Sequence, residues 1–258
     1  MRQNAEVVSG AYAALDIDHT LLRGSTFDLT ICAAIDRQVI PAIPRSPYDD
    51  RVTVHLRHLS SLIQGEPDTL FDSTLEALDP VFRAKLFRYT QPLLTAARAQ
   101  GLDITLITQS PQQFAEAFAA AIGGADHILA SQLVTESGRF TGEVRPLRDK
   151  WGTLVTRILR GSVRPPYVAA GDTIHDLEIL SQALHPLAVG MGMGMVGEAH
   201  PLIHMYDLPI PIVNENHDGE IEQCRGQLWV GSSACSLEVI TQDQLLRLAG
   251  LGDPTQNL

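Results

Sequence analysis

The sequence predicts an α/β fold: a Rossmann-like, mostly parallel sheet core with an α-helical cap domain inserted into it. Three observations lead there. Short apolar runs alternate with amphipathic helical stretches, the pattern of a parallel sheet covered on both faces. Three of those runs deliver Asp16, Thr108 and Asp172 at their carboxyl ends, where ligands gather in such sheets. The first two runs stand about 90 residues apart, whereas a βαβ unit needs only about 30, so something is inserted between them.

The elements follow in order. Ala11 to Leu15 is a buried strand running into Asp16-Ile17-Asp18. In the insertion, Leu29, Cys32, Ala33 and Ile35, then Leu56, Leu59, Leu62 and Ile63, recur at helical spacing, separated by a loop from Pro41 to Pro47. Residues 26–90 are assigned to this helical cap, with joints near Arg23 to Ser25 and Thr90 to Leu93. Residues 1–25 and 91–258 are assigned to the core. Asp103 to Thr108 is the second strand. Ser110, Pro111 and Gln113 then read as N-cap, first helical position and capping-box partner of a helix. That helix is expected to bury Phe114, Ala117, Phe118, Ala121 and Ile122 and to stop at Gly123-Gly124. His127 to Ala130 reads as a strand, and Leu133 to Glu143, with Glu136 to Gly138 at its centre, as a hairpin or excursion. Lys150 to Leu159 is helical, Tyr167 to Ala170 is a strand ending in Gly171-Asp172, and Asp176 to Leu184 is a helix. Pro186 to Val189 is a candidate fourth strand. Beyond Val213 the pattern fades, except that Thr241 to Gln244 can cap a last helix holding Leu245, Leu246 and Leu248.

Composition removes several function classes. A formal charge of -11 repels phosphate backbones, which argues against nucleic acid as a partner. No apolar run approaches the roughly 20 residues that cross a bilayer, so no membrane partner is expected. Met1 to Gly10 lacks the apolar core of a secretory signal, and a cytoplasmic protein is expected. Cys32, Cys224 and Cys235 form no C-x-x-C pair, so neither a zinc site nor a disulfide framework is indicated.

The chemistry sits in an acidic constellation. Asp16 and Asp18 leave one strand end at i and i+2. Asp172 and Asp176 come from another, the second after one further turn. Carboxylates crowded together raise one another's pKa and partly neutralise unless a cation is bound. A hard divalent ion is therefore implied, and an oxygen-only donor set favours Mg²⁺ over Zn²⁺.

These residues resemble the motifs of the haloacid dehalogenase superfamily, in particular its phosphoserine-phosphatase-like branch, which carries a helical cap after the first motif. The matching stretches are Asp16-x-Asp18-x-Thr20-Leu21-Leu22, Leu106-Ile107-Thr108, Lys150 opening a helix, and Gly171-Asp172-x-x-x-Asp176. Ser137 to Glu143 also looks like this branch. The resemblance implies an Mg²⁺-dependent phosphomonoester hydrolase acting on a small phosphorylated metabolite. In it Asp16 is the nucleophile, forming an aspartyl-phosphate, and Asp18 is the general acid and base. It further implies that Thr108, Gln109, Ser110 and Lys150 hold phosphate oxygens. Asp16, Asp18 through its backbone carbonyl, and Asp172 are the metal ligands implied. Asp176 is implied either as a further ligand or as a partner orienting Lys150. An acid at Asp18 favours phosphoryl transfer over dehalogenation, which has no leaving alkoxide to protonate. A phosphotransferase or mutase with the same site, or a catalytically silent binding protein with this fold, are the alternatives.

Some positions depart from the branch or stand apart from it. The glutamate that contacts the amino group of phosphoserine in that branch corresponds to Ser25 here, which argues against phosphoserine. Arg23, beside the first motif, is the first candidate to reach a substrate. Arg45, Arg51, His55, Arg57 and His58 form a local basic cluster, read first as a solvated helix face. His19 and His175 occupy variable motif positions and are expected on the site rim. Gly192, Gly194 and Gly197 spell G-x-G-x-x-G, read as a loop because Pro201 follows early.

Overall fold

The computed structural model describes residues 10–42, 52–159, 164–189, 210–216, 218–225 and 236–252. Arg45, Arg51, most of the Pro41 to Pro47 loop, the Gly192 to Gly197 motif and Cys235 lie outside the described residues.

Among the described residues nine strands form one sheet in the order β4-β3-β2-β1-β5-β6-β7-β8-β9. Inside it, β1 (Tyr12–Leu15) is paired in parallel with β2 (Asp103–Pro111) on one side and β5 (Val168–Gly171) on the other. The parallel run continues outward through β3 (His127–Glu136) beyond β2, and through β6 (His185–Val189) and β7 (Ile212–Glu215) beyond β5. Antiparallel strands finish both edges: β4 (Arg139–Arg145) on one side, β8 (Ile221–Arg225) and β9 (Ser236–Ile240) on the other. The fold is therefore the mostly parallel α/β sheet that the sequence predicts.

Alternation along β1 builds both layers. Ala13 and Leu15 join one apolar cluster with Leu93, Leu94, Ala115 and Phe118, contributed by α4 (Thr90–Ala99) and α5 (Gln112–Ala121). Tyr12 and Ala14 face the opposite cluster with Leu154 of α6 (Lys150–Arg157) and Ile179 of α7 (Leu177–Gln182). With helices on both faces, the ends of the central strands are where the sheet opens to a ligand. The chain runs from β1 outward to β3, then returns to β5 and continues the other way. Beta1 and β5 are thus neighbours whose connections diverge, which opens a crevice at their carboxyl ends.

Between β1 and α4 lie α1 (Thr26–Asp36), α2 (Val52–Leu62) and α3 (Asp72–Ala84). Phe27, Ile31, Ala34, Leu56, Leu59, Ile63, Phe71 and Leu75 form their shared core, closed by Phe114 of α5 and by Leu133 and Phe140 of the β3–β4 hairpin. The hairpin turns on Ser137 and Gly138, both at positive φ, as a two-residue type I′ turn requires. Its backbone pairs with the insertion, Gly65 N–H donating to Phe140 O at 2.8 Å and Phe140 N–H to Glu66 O at 2.9 Å. The buried stripe of α1 differs from the predicted one: Phe27, Ile31 and Ala34 face the insertion's core, while Cys32 is exposed. Leu62 is also exposed. Periodicity found both helices; it placed the stripe of α1 off the one that packs around Phe27, while in α2 the predicted Leu56, Leu59 and Ile63 are buried.

The segment beyond Val213 was least legible and supplies β8, β9 and the last helix, α8 (Gln242–Leu248). Alpha8 begins with the expected capping box between Thr241 and Gln244. Among the described residues no helix is long and apolar enough to cross a membrane.

Candidate active site

Three chain segments converge at the β1/β5 crevice. Asp16 follows β1 directly and is buried, its N–H held by Ala170 O at 2.9 Å. Lys150, at the start of α6, is equally buried and donates to Asp16 Oδ1 and to Asp176 Oδ1, each at 2.6 Å. A lysine in the first helical turn opposes the helix dipole, so its position depends on those two carboxylates. Asp149 caps the helix from just outside, accepting from Gly152 N–H at 2.7 Å.

Asp176 sits in a 3₁₀ turn after β5, its Oδ2 held by the Thr173 hydroxyl at 2.8 Å and the Thr173 N–H at 3.2 Å. Gly171 lies beneath it; a Cβ there would come within 2.3 Å of Asp176 Cβ. The Thr20 hydroxyl lies between Asp16 Oδ2 at 3.2 Å and Asp172 Oδ1 at 3.4 Å. Asp16, Asp172 and Asp176 each offer an oxygen within 4.8 Å of the other two.

Three carboxylates face one ammonium, so the fully ionised set would leave two negative charges in a site largely closed to water. Burial, then the neighbouring Asp176, pushes the Asp172 carboxyl up to about 7, against the opposing pull of Lys150. Burial likewise raises Asp16 well above the carboxylate range, with Asp176, Asp172 and Asp18 adding to it and Lys150 opposing. For Lys150 burial works against the charge, but Asp16 and Asp176 more than offset it and its pKa is raised. A divalent cation on oxygen ligands matches both the uncompensated charge and the donor chemistry.

Asp18 faces another way. Its Oδ1 accepts from the Thr26 N–H at 2.6 Å and the Thr26 hydroxyl at 2.8 Å, at the start of α1. Its Oδ2 accepts from the hydroxyls of Thr108 at 2.8 Å and Ser110 at 2.7 Å. The Asp18 side chain therefore stands outside the three-oxygen cluster, and only its backbone carbonyl is left for a metal. Thr108 and Ser110 can share one carboxylate because residues two apart on a strand face the same side.

Here the structure corrects the predicted helix start. Beta2 runs on through Pro111, the N-cap position makes no side-chain bond, and the Ser110 hydroxyl goes to Asp18 instead. A hydrogen bond to a charged group outweighs a local cap. The Ser110 N–H is also occupied, donating to Thr108 Oγ1 at 3.0 Å. Gln109 turns its carbonyl to the Ser131 hydroxyl at 2.6 Å.

Arg23 is engaged elsewhere: its guanidinium pairs with Glu215 and lies over the Phe87 ring, 5.6 Å from the centroid. Ser25 caps α1, accepting from Asp28 N–H at 3.2 Å. His19 and His175 are exposed, as are Arg57 and His58, whereas His55 lies against the Phe27 ring. Thr26 and Glu215 are polar partners that sequence reading missed, and for Ser110 it missed the bond to Asp18. For Ser110 the signal was present, since it follows Thr108 by one strand period.

The family model described as haloacid dehalogenase-like hydrolase matches residues 13–181, which contain every segment of this crevice. The chain belongs to that family. Solved structures add the fold of these hydrolases as a whole. A protein with unknown function from Bordetella pertussis Tohama I is 16% identical with a TM-score of 0.58, covering 77% of this chain and 96% of its own. A phosphoserine phosphohydrolase-like protein from Francisella tularensis subsp. tularensis SCHU S4 is 15% identical with a TM-score of 0.50, covering 75% and 93%. A HAD family hydrolase from Salmonella enterica subsp. enterica serovar Typhi is 16% identical with a TM-score of 0.50, covering 76% and 64%. No curated protein matches the chain.

Proposed function

We propose that this haloacid dehalogenase-like hydrolase is an Mg²⁺-dependent phosphatase that cleaves small phosphorylated metabolites through an aspartyl-phosphate on Asp16. The observation that carries this reading is the buried Lys150 bridging Asp16 and Asp176 beside Asp172, with two negative charges unbalanced once all three carboxylates are ionised. Asp16, Asp172, the Asp18 carbonyl and Asp176 are the groups that would hold Mg²⁺. The ion would supply positive charge against which a carboxylate can approach a phosphodianion.

The remaining work falls to the chain. An Asp16 oxygen attacks phosphorus while the bond from phosphorus to the ester oxygen breaks, and Asp18 gives its proton to the departing alkoxide. Water then attacks the aspartyl-phosphate, Asp18 takes a proton from it, and the Asp16 carboxylate is regenerated with release of inorganic phosphate. The four donors around Asp18 specify where its proton rides. The Thr26 N–H can only donate, so Oδ1 stays an acceptor. The hydroxyls of Thr108 and Ser110 can turn to accept, so the proton belongs on Oδ2. Lys150 holds the nucleophile in line and contributes charge toward the phosphate oxygens. Thr108, Gln109 and Ser110 form the wall of the phosphate site.

The substrate's leaving group faces the helical insertion, which we take as a cap over residues 26–90 on a core of residues 1–25 and 91–258. Ser25, spent as a helix cap, supports a substrate other than phosphoserine. The test is phosphate release from p-nitrophenyl phosphate and from a panel of phosphometabolites, with and without Mg²⁺. The account expects metal-dependent turnover that Asp16→Asn abolishes. Turnover unchanged in Asp16→Asn would exclude the mechanism.

A further inference from the structure

We propose that Glu215, carried by the C-terminal extension of the sheet, is a positioning residue for Asp18 and acts through the linkers of the helical insertion. The inference rests on the reading of Asp18 as the acid.

The chain enters the insertion through residues 22–25 and leaves it through residues 85–89. The two linkers are bonded to each other: Arg23 N–H donates to Lys85 O at 2.7 Å, Phe87 N–H to Leu21 O at 3.2 Å, and Leu22 and Leu86 form an antiparallel bridge. Below this crossing lies Glu215, at the carboxyl end of β7, with a side chain of 0% exposure. One of its oxygens takes the Arg23 guanidinium, and the other accepts from the Arg88 N–H at 2.6 Å. A single carboxylate thus ties both linkers to the sheet.

That carboxylate is itself fixed. Beta8 pairs with β7 through Glu215 and Ile221, and β9 pairs with β8 in turn, so the tail keeps β7 from being a free edge. A carboxylate buried this far must stay paired, which commits Arg23 to Glu215 although the Arg23 side chain is 43% exposed. From Arg23 the chain needs only three residues to reach Thr26, whose N–H and hydroxyl hold Asp18 Oδ1. Glu215 therefore sets where α1 begins, and the start of α1 sets how the Asp18 carboxylate is turned.

Leaving-group dependence separates this role from general stabilisation. The value of kcat/KM covers the steps through loss of the leaving group. A p-nitrophenolate departs without a proton, whereas an alkoxide needs one from Asp18. General acid catalysis is worth about 10² to 10⁴-fold, so misaligning the acid costs an alkyl phosphate on the order of tenfold or more beyond any loss on p-nitrophenyl phosphate.

The experiment compares kcat/KM on p-nitrophenyl phosphate and on glycerol phosphate for wild type, Asp18→Asn, Glu215→Gln, Arg23→Gln and the double variant Arg23→Gln/Glu215→Gln. Folding is checked by thermal melts. The double variant removes the buried charge together with its partner, so it carries the test should either single variant fail to fold. A selective loss on the alkyl ester in the folded variants, in the same direction as in Asp18→Asn, is the expected result. Equal losses on both esters, or none, would overturn the role of Glu215 while leaving the phosphatase reading intact. If Asp18→Asn itself shows no selectivity, the acid assignment and this inference fall together.

Discussion

The charge imbalance at the crevice makes removal of one acid a stabilising change in the absence of metal. Asp172 titrates near 7 in the folded protein against 3.8 for an ordinary aspartate. Between those values the folded state holds a proton that the unfolded chain has lost. The corresponding stability is fully present below about pH 4 and is lost as pH rises through 7. At pH 8 the ionised carboxylate costs the folded protein on the order of 4 kcal/mol, at about 1.4 kcal/mol per pKa unit. Asp172→Asn removes that cost with little change of shape. In EDTA at pH 8 it should raise the melting temperature by roughly 10 °C, since 1 kcal/mol corresponds to about 2–4 °C at this size. At pH 4 the gain should vanish. Wild type should recover most of the difference on adding Mg²⁺, while Asp172→Asn should respond weakly because a ligand is gone. Differential scanning fluorimetry across pH 4–8, with EDTA or Mg²⁺, reads all of this. An Asp172→Asn protein less stable than wild type at pH 8 without metal, and stabilised by Mg²⁺ as wild type is, would refute the electrostatic account.

Other substitutions test separate parts of the site. Lys150→Met keeps the aliphatic stem but leaves Asp16 and Asp176 buried without their cation; urea denaturation should show a loss of about 3–5 kcal/mol, and turnover should disappear. Gly171→Ala drives a methyl into Asp176, and a displacement of about 1 Å should lower kcat on the order of 100-fold, with KM the milder effect. Thr108→Val preserves shape but removes one of the two hydroxyls that hold Asp18 Oδ2, so the acid is turned less well toward the leaving group. The effect should appear in kcat/KM for alkyl phosphates more than in the melting temperature.

The parts of the molecule legible in sequence are those where local pattern and tertiary role coincide. Tyr12 to Leu15 is apolar on both faces because both faces are covered, and it ends where Asp16 must emerge. Lys150, Asp172 and Asp176 follow the same logic, each at an element boundary. Thr241 and Gln244 form their capping box because nothing distant competes for them. Ser110 has the same cap signature, yet its hydroxyl is taken by a carboxylate 92 residues away in sequence, a partner that no local pattern reveals. The partner of Arg23 is likewise distant. Arg23 stands next to the acidic motif, but its charge is drawn to Glu215, 192 residues further along. The tail hid its strands because β8 and β9 lie toward the sheet edge and interleave Glu222, Gln223 and Glu238 with their apolar residues, which blurs the signal of a buried strand.

The central claim is that the carboxylate of Asp16 becomes covalently bonded to phosphorus. Acid quenching within the first turnover of a phosphorus-labelled substrate, followed by peptide mapping, addresses it directly. The account predicts a hydroxylamine-labile label on the peptide that contains Asp16, absent in Asp16→Asn. Active turnover with no labelled peptide under conditions that trap the intermediate, or a label on any other residue, would contradict it.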